Sequence, residues 1–523
     1  MTEEGNVASE DPQLSGGVAV LDFGGQYAHL ICRRVRALGV YSSLLPHDTS
    51  LNELLAMKVA GIVLSGGPAS VYSEGAPKAD PRIFEGSIPI LGICYGYQLM
   101  VRAHGGEVGR GAGREYGRSI VDVVEKGGLF EGVDDPRLFC WMSHSDSATK
   151  IPPTMKVLAS TDGSPYAAVK VSGSQQFGLQ FHPEVSHTQK GEILLSNFVL
   201  GVCRARKNWS VAGFLERSVQ SLSELNGRVL CAVSGGVDSS VTAVLLNRAM
   251  GDRLTALFVD TGLLREGEPE HVRRSLGHDL GINVAFVGAS QRFLEALRGV
   301  VDPEEKRMVV GKQFAEVFEE FAAGNGPFDY LAQGTLYPDV IESGRSTGPA
   351  TVIKTHHNVG AMPKGMSMKI VEPLRELYKD EVRELGRLLG MPKVLVDQHP
   401  FPGPGLAARI VGEVTDEKLR VCRQASGIVE EVLEKAGIYD AVWQAFAYVG
   451  DDKVTGVQGD ERKLGHQVTV KIVESVDAMT ADWARLDHRL MEELSTRITN
   501  EVVGVVAVSY SISSKPPATI EPQ

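Results

Sequence analysis

The chain has 523 residues, 43% hydrophobic and 23% charged, with a net charge of −12. Its length predicts roughly three or four domains, each able to bury its own core, and its acidic balance argues against a general nucleic-acid or membrane surface. Six cysteines are scattered without a CxxC pair, which disfavours disulfides and a zinc ribbon and suits a reducing, cytoplasmic setting. The opening MTEEGNVASEDPQLSGG is polar and acidic with no apolar run, so residues 1–16 are expected as a disordered tail without a signal peptide. No apolar stretch approaches the ~20 residues of a membrane span.

From residue 18, short β-type runs alternate with helical stretches. VAVLDF (18–23), GIVLSGG (61–67) and IPILGIC (88–94) read as buried parallel strands, with a helix over 28–38. This predicts an α/β fold with a doubly wound parallel sheet. Cys94 stands where IPILGIC ends and a helix begins at YGYQLMVRAHGG, with Gly92 and Gly96 two residues to either side. A tight strand-to-helix elbow of this kind exposes a nucleophile, and the helix N-terminus behind it favours the thiolate. A base is offered by FHPE (181–184), where His182 and Glu184 share a face if the chain is extended. Taken alone, a cysteine after an apolar strand is commonly an inert core thiol.

Together GICYGYQ and FHPE resemble the class I glutamine amidotransferases. The resemblance implies a glutaminase over residues 17–206, with Cys94 as nucleophile, His182 as general base and acid, and Glu184 as its orienter. SGGP (65–68) matches the oxyanion loop of that family, placing Gly66 there with Gly67 and Tyr95 as N–H donors. Gln98, Ser143, His144, Ser145 and Asp146 match positions that hold glutamine. The family usually carries glycine where Ser145 lies, and a positive φ there would strain a serine.

Residues 200–210 (LGVCRARKNWS) are basic without an apolar period and read as a linker. VLCAV (229–233) then reads as a strand, SGGVDSS (234–240) as a glycine turn, and the residues after it as a helix. That layout cradles anions: Gly235 and Gly236 let backbone N–H groups approach oxygens, and the helix adds its positive end. Asp238 can hold Mg²⁺ against bound phosphates. The chain has no GxxxxGK followed by serine or threonine, so this is not a Walker loop. SGGxDS after a strand instead resembles the loop of enzymes that split ATP into AMP and pyrophosphate. LTALFV (254–259) is a further strand that ends in Asp260, either a helix cap or, beside this loop, a nucleotide contact. LAQGTLYPDVIES (331–343) and KTHHNVG (354–360) read as a solvated loop or as a lid over ATP. Adjacent His356 and His357 would diverge rather than pair on a metal.

KRMVVGKQF, LAQGTLYPDVIES, KTHHNVG, LYKDEVRELG, HPFPGPGLA and KPPATIE follow in order, and with the two earlier signatures they resemble the glutamine-hydrolysing GMP synthetase family over nearly the whole chain. The resemblance implies that ATP, with Mg²⁺, adenylates the C2 oxygen of xanthosine monophosphate (XMP). Ammonia from glutamine then displaces AMP to give GMP. By position, Ser234, Gly235, Gly236, Val237, Asp238, Ser239, Ser240, Asp260, Gln333 and Gly334 would serve ATP, and Asp238 the metal. Asp339, His356, His357, Lys379 and Asp380 would lie in the lid and adenylation surroundings.

The proline-glycine cluster at 399–405 is a boundary signal, giving an ATP pyrophosphatase domain over 207–400, also doubly wound, and a smaller α+β domain over 401–523. In the latter, helix patterns at 417–437 and 480–499 alternate with HQVTVKIVES and VVGVVAVSYSIS, the last a core strand or a pairing edge. The resemblance implies a homodimer through this region and an XMP site using Arg307, Arg462, Lys515, Ile520 and Glu521. Where the family continues ATIE with tryptophan and glutamate, this chain reads Pro522-Gln523. Competing readings are another ATP pyrophosphatase-type amidotransferase and a catalytically silent binding protein on the same scaffold. An asparagine synthetase needs a processed N-terminal cysteine whereas this chain begins Met1-Thr2, an NAD synthetase uses a nitrilase-type glutaminase, and every reactive position named above holds a competent residue.

Overall fold

The computed structural model describes residues 14–344, 368–475 and 480–523, divided into two compact units, Met1–Gly213 and Phe214–Gln523. Of the tail expected through residue 16, residues 1–13 lie outside the described residues. Leu14 is already buried, and the Gly16 N–H donates to the Lys58 carbonyl at 2.9 Å.

The first unit is built on a nine-stranded sheet. Its strands are β1 (Val18–Asp22), β2 (Ser42–Pro46), β3 (Gly61–Leu64), β4 (Ile90–Ile93), β5 (Glu107–Val123), β6 (Arg137–Lys150), β7 (Met155–Ser160), β8 (Ala168–Val171) and β9 (Gln176–Leu179), in the order β2-β1-β3-β4-β9-β8-β7-β5-β6. From β2 to β9 the strands run parallel, as apolar runs buried on both faces require. The remaining four extend the sheet antiparallel, an extension that the parallel reading of this region lacked. Its signature is alternation: from Arg137 to Cys140, β6 alternates exposed and buried residues, the pattern of a strand with one wet face. Parallel pairing of β9 with β4 brings the chain after Leu179 beside Cys94, whose N–H donates to the Leu179 carbonyl at 2.7 Å.

The stretch expected as a linker is fastened to this unit at Trp209. That ring is buried, lies 5.2 Å from Tyr41 and sits beneath the Arg36 guanidinium at 4.7 Å, while the backbone N–H of Trp209 donates to the Gly39 carbonyl. One aromatic anchor needs no apolar period, so the composition of the stretch hides it.

The second unit holds a five-stranded, all-parallel sheet ordered β12-β11-β10-β13-β14. These strands are β10 (Val229–Val233), β11 (Leu254–Asp260), β12 (Val284–Gly288), β13 (Tyr330–Ala332) and β14 (Lys369–Val371). A second, mixed sheet follows, formed by β15 (Gln444–Gln458), β16 (Glu461–Glu474), β17 (Asp482–Trp483) and β18 (Val505–Tyr510). β16 pairs antiparallel with β15 and β17 and parallel with β18. Among the described residues β18 pairs with β16 alone, so VVGVVAVSYSIS forms an edge. One core joins Leu230 and Leu257 of the parallel sheet to Val468, Ile498 and Val505.

The helix expected over 480–499 is His488–Glu501, capped by Asp487, whose carboxylate accepts the Arg489 N–H at 2.8 Å. The chain before it is spent on β17, which pairs with β16. Among the described residues no helix is long and apolar enough to cross a membrane.

Candidate active sites

β4 ends at Ile93 and the helix Tyr95–Ala103 begins two residues later, leaving Cys94 to make the turn alone. Its φ of 50° with ψ of −104° is a conformation that costs a non-glycine residue about 1–3 kcal/mol. The flanking glycines are required by close approach, since neither has a positive φ. A Cβ on Gly92 would stand 2.7 Å from the Tyr97 backbone, and one on Gly96 2.4 Å from the Leu64 side chain.

The Cys94 sulfur faces Gln180 Nε2 at 3.7 Å, the Ser143 carbonyl at 3.8 Å and the His182 imidazole. His182 Nδ1 lies 2.7 Å from Glu184 Oε1, and both side chains are buried. Nδ1 is therefore committed to the carboxylate, and Nε2 is the nitrogen left for sulfur. Burial alone would lower the imidazole pKa. The Glu184 charge and hydrogen bonds with Cys94 and Glu184 override it and raise the value to about 10. Because that lies above the 6.5 of a free imidazole, this group stabilises the fold fully below that range and stops doing so as pH rises through about 10. Glu184→Gln keeps the shape but removes the charge that orients the ring. Glutamate release from glutamine is expected to fall on the order of 10³-fold, and an unchanged rate would remove Glu184 from its orienting role.

Cys94 opens into a cleft of about 560 Å³ whose lining includes Gly67, Tyr95, Gln98, Ser143 and Asp146. Gly66 and Gly67 are crowded: added Cβ atoms would lie 3.0 Å from His182 Cε1 and 2.6 Å from the Phe23 carbonyl. The loop backbone can thus reach the sulfur side of the cleft. Gln98 Nε2 donates to the Asp146 carbonyl at 2.6 Å, and Ser70 donates to the Asp146 carboxylate at 2.7 Å. Ser145 is not among the residues with positive φ. Its hydroxyl is 2.6 Å from the Tyr116 hydroxyl, so the strain anticipated for a serine here does not arise. His144 is buried against Glu115, at 3.2 Å. Burial pushes the Glu115 carboxyl upward, but hydrogen bonds from His144 and Thr161 outweigh it and hold the group below its ordinary range.

Gln180, fully buried beside the sulfur and within 3.4 Å of Gln98, escaped the sequence reading. The signal was present, since Gln180 precedes His182 by two residues on an extended run.

In the second unit the turn between β10 and the helix Val237–Met250 is closed by its own serines. The Ser234 N–H donates to Ser239 Oγ at 3.1 Å, and Ser239 Oγ donates to the Gly236 carbonyl at 3.1 Å. Gly235 has φ 83°, which glycine adopts without strain. Gly236 is the helix N-cap, Asp238 lies in the first turn, and Val237 and Ser240 are buried beneath. A Cβ on Gly334 would sit 3.3 Å from the Ser239 nitrogen, and the neighbouring Gln333 N–H donates to the Val371 carbonyl. The end of β13 is thereby pressed against the turn.

Lys379, first residue of the helix Lys379–Leu388, donates to Asp238 Oδ2. Asp238 Oδ1 is buried without a hydrogen-bond partner. Asp380 follows Lys379 in the same first turn. Asp260 Oδ1 accepts the Gly262 N–H at 2.9 Å, so this residue shapes the turn after β11. Asp339 accepts the Leu336 N–H at 3.1 Å. His356 and His357 lie outside the described residues.

Of the five residues expected near XMP, the structure gathers Ile520 and Glu521 into one seat. Ile520 packs with Phe446 and Val473, and Glu521 takes two hydrogen bonds of 3.1 Å from the buried Arg409. Lys515 is tied nearby through backbone bonds in both directions with Ala481. Arg307 pairs instead with Glu304 on its own helix. It is the neighbouring Lys306 that is buried and donates to Gln523 Oε1 and to the Ile410 carbonyl. Burial, joined by the nearby Lys418, lowers its amine to about 8. Arg462 stands at the tip of the β15–β16 hairpin, nine residues along β16 from Lys471, which donates to the Thr519 carbonyl. At the usual strand rise that is about 30 Å, so one copy of the chain does not bring Arg462 to this seat.

Residues 19–202 match the family model for glutamine amidotransferase class-I, and residues 431–522 match that for the GMP synthase C terminal domain. The GMP synthase (glutamine-hydrolyzing) of Carboxydothermus hydrogenoformans is 49% identical over 97% of this chain and 100% of that protein. The protein of the same name from Synechocystis is 50% identical over 96% of this chain and 94% of its own length. That from Thermomicrobium roseum is 50% identical over 96% of both chains. The similarity therefore takes in the thiol elbow, the glycine turn after β10 and the C-terminal seat within single alignments, and the chain belongs to the glutamine-hydrolyzing GMP synthase family.

Proposed function

We propose that this chain makes GMP from XMP, ATP and glutamine. ATP adenylates the C2 oxygen of XMP and releases pyrophosphate; ammonia from the hydrolysis of glutamine to glutamate then displaces AMP. The observation that carries this reading is the near-full-length similarity to glutamine-hydrolyzing GMP synthases at about half identity. Within it, residues 17–206 would form the glutaminase, 207–400 the ATP pyrophosphatase region, and 401–523 the part that completes the XMP site.

In the glutaminase, the raised imidazole pKa keeps on His182 the proton drawn from Cys94, and the thiolate attacks the glutamine amide carbon. His182 gives that proton to the leaving ammonia, and the ring then takes a proton from the water that hydrolyses the thioester to glutamate. Glu184 keeps the ring aimed throughout. The N–H groups of Gly67 and Tyr95 would receive the developing oxyanion, a role whose loss typically costs ~10²–10³ in rate. Gln98, Ser143 and Asp146 would hold the substrate, with Ser145 fixed by Tyr116.

In the second region, Gly235, Gly236 and the first turn of the following helix would cradle the departing pyrophosphate, with Ser234 and Ser239 keeping the turn closed. Asp238 fits Mg²⁺, for its Oδ1 is buried and unpartnered. Among the described residues no cluster of three or more His, Cys, Asp or Glu could hold a metal, and Mg²⁺ commonly rests on one or two carboxylates with substrate phosphates. When bound, the ion neutralises charge on those phosphates.

A homodimer through the C-terminal region is supported by the β15–β16 hairpin arm, where Val457 and Leu464 are 70% and 69% exposed. A cytoplasmic setting is supported by six scattered cysteines without a CxxC pair. The experiment that tests the whole reading supplies XMP, ATP and Mg²⁺ with either glutamine or ammonium and follows AMP and GMP. AMP release without GMP, or neither product, would sink it. Within the XMP site, Lys515→Ala is expected to raise the KM for XMP roughly ten- to a hundredfold, the worth of one charged hydrogen bond. An unchanged KM in a folded variant would return Lys515 to the surface.

A further inference from the structure

The HPFPGPG stretch, read from sequence as a boundary, lies between the phosphate turn and the seat of residues 519–523. Phe401 is its centre. The Arg265 guanidinium lies 4.5 Å from the Phe401 ring centroid, and the Arg409 guanidinium 5.0 Å. Two cations sharing one ring repel each other unless each is held by its own carboxylate. Arg265 has Glu430 at 3.8 Å, and Arg409 has Glu521.

On one side the contacts run to the phosphate turn. Arg265 donates to the His399 carbonyl at 2.7 Å. With the Gln398 amide oriented to satisfy both neighbours, its oxygen accepts from Arg265 and its nitrogen donates to the Gly235 carbonyl at 3.2 Å. The Arg265 N–H donates to Glu268 Oε2 at 3.0 Å, while Glu268 Oε1 lies 2.6 Å from where a Cβ on Gly235 would stand. Glycine 235 is thus pinned from its carbonyl and backed by a buried carboxylate.

On the other side the contacts run to the seat. Arg409 is 1% exposed, and its guanidinium pairs with the Glu521 carboxylate at 3.1 Å. Gln444 Nε2 donates to both Glu521 and the Pro400 carbonyl, the latter at 3.1 Å. A guanidinium this buried is costly without its carboxylate. Without Glu521 the Arg409 charge would be left uncompensated beside the ring that it shares with Arg265.

We propose that Phe401 is a positioning residue that ties the glycine turn of the phosphate loop to the seat of residues 519–523, so that nucleotide at the seat and ATP at the turn bind with positive coupling. The XMP half of this inference rests on the function proposed above. Coupling of this kind is reciprocal, and in proteins is typically about 5–150-fold.

The test is equilibrium binding of a non-hydrolysable ATP analogue with Mg²⁺, with and without saturating XMP, to the full chain. XMP is expected to tighten the analogue at least about fivefold in the wild type. In Phe401→Leu that factor falls towards one, whereas Phe401→Tyr, which keeps the ring, retains it. A merely structural role would lower thermal stability in Phe401→Leu without touching the ratio. A wild type that forms no GMP overturns both the functional reading and the coupling. A wild type that forms GMP yet binds the analogue equally well with and without XMP overturns the coupling alone. So does a Phe401→Leu variant that keeps the wild-type factor.

Discussion

Replacing Cys94 with alanine abolishes GMP formation from glutamine and leaves formation from ammonium within about threefold of wild type, because only uncatalysed amide hydrolysis remains on the glutamine side. The structure pairs the sulfur with an oriented base: His182 is held by Glu184 at 2.7 Å and faces Cys94. Alanine at 94 keeps a Cβ, so the positive-φ elbow is no more strained than before. The fold of the first unit should therefore survive, and a thermal melt checks that it does. The glycine turn after β10 belongs to the other compact unit, and free ammonium needs no nucleophile to generate it. The measurement is GMP formed per enzyme with each nitrogen source at saturating XMP and ATP. Loss of both activities in a folded variant would mean that Cys94 serves the synthetase chemistry as well, against the two-site reading.

How much of this was legible beforehand depends on whether a residue acts through its neighbours in sequence or through distant ones. The strand–cysteine–helix and strand–glycine–helix elements are local: VLCAV coincides with β10, while of SGGVDSS only residues 234–236 make the turn and the helix already begins at Val237. The antiparallel half of the first sheet is also encoded locally, as the alternation in β6, but a reading tuned to continuous apolar strands passes over it. Lys306 and Arg409 are different. Each is a buried cation whose partner among residues 519–523 lies more than a hundred positions away in the chain, Gln523 for Lys306 and Glu521 for Arg409. Arg307 was expected at the XMP site and Lys306 was not named; which of two adjacent residues on a helix faces inward is settled by the packing partner. Arg462 was grouped with Lys515 through family resemblance, whereas the pairing register of a long hairpin sets it far along the strand. A positive φ at 145 would have strained the serine, but Ser145 is not among the residues with positive φ and its hydroxyl has a partner in Tyr116.

Asp238→Asn is expected to lower GMP and AMP formation at least about a hundredfold with glutamine and with ammonium alike, since adenylation precedes any use of ammonia. Asp238 sits in the first turn of the helix behind the glycine turn, with one oxygen held by Lys379 and the other buried and unpartnered. Asparagine preserves the volume and can still accept from Lys379. It cannot carry the negative charge that a cation beside phosphates would use, and its amide N–H₂ would point donors where an acceptor is wanted. The loss should therefore fall on turnover rather than on stability, and raising Mg²⁺ should recover little of it. Alkylation of Cys94 by a glutamine-like reagent reports on the other unit and should proceed at the wild-type rate, which separates a lesion at the turn from general damage. Asp238→Glu, which restores the charge one methylene further out, should regain part of the activity. Normal ammonium-dependent turnover in Asp238→Asn would detach this carboxylate from the ATP chemistry and leave its pairing with Lys379 as a structural bond.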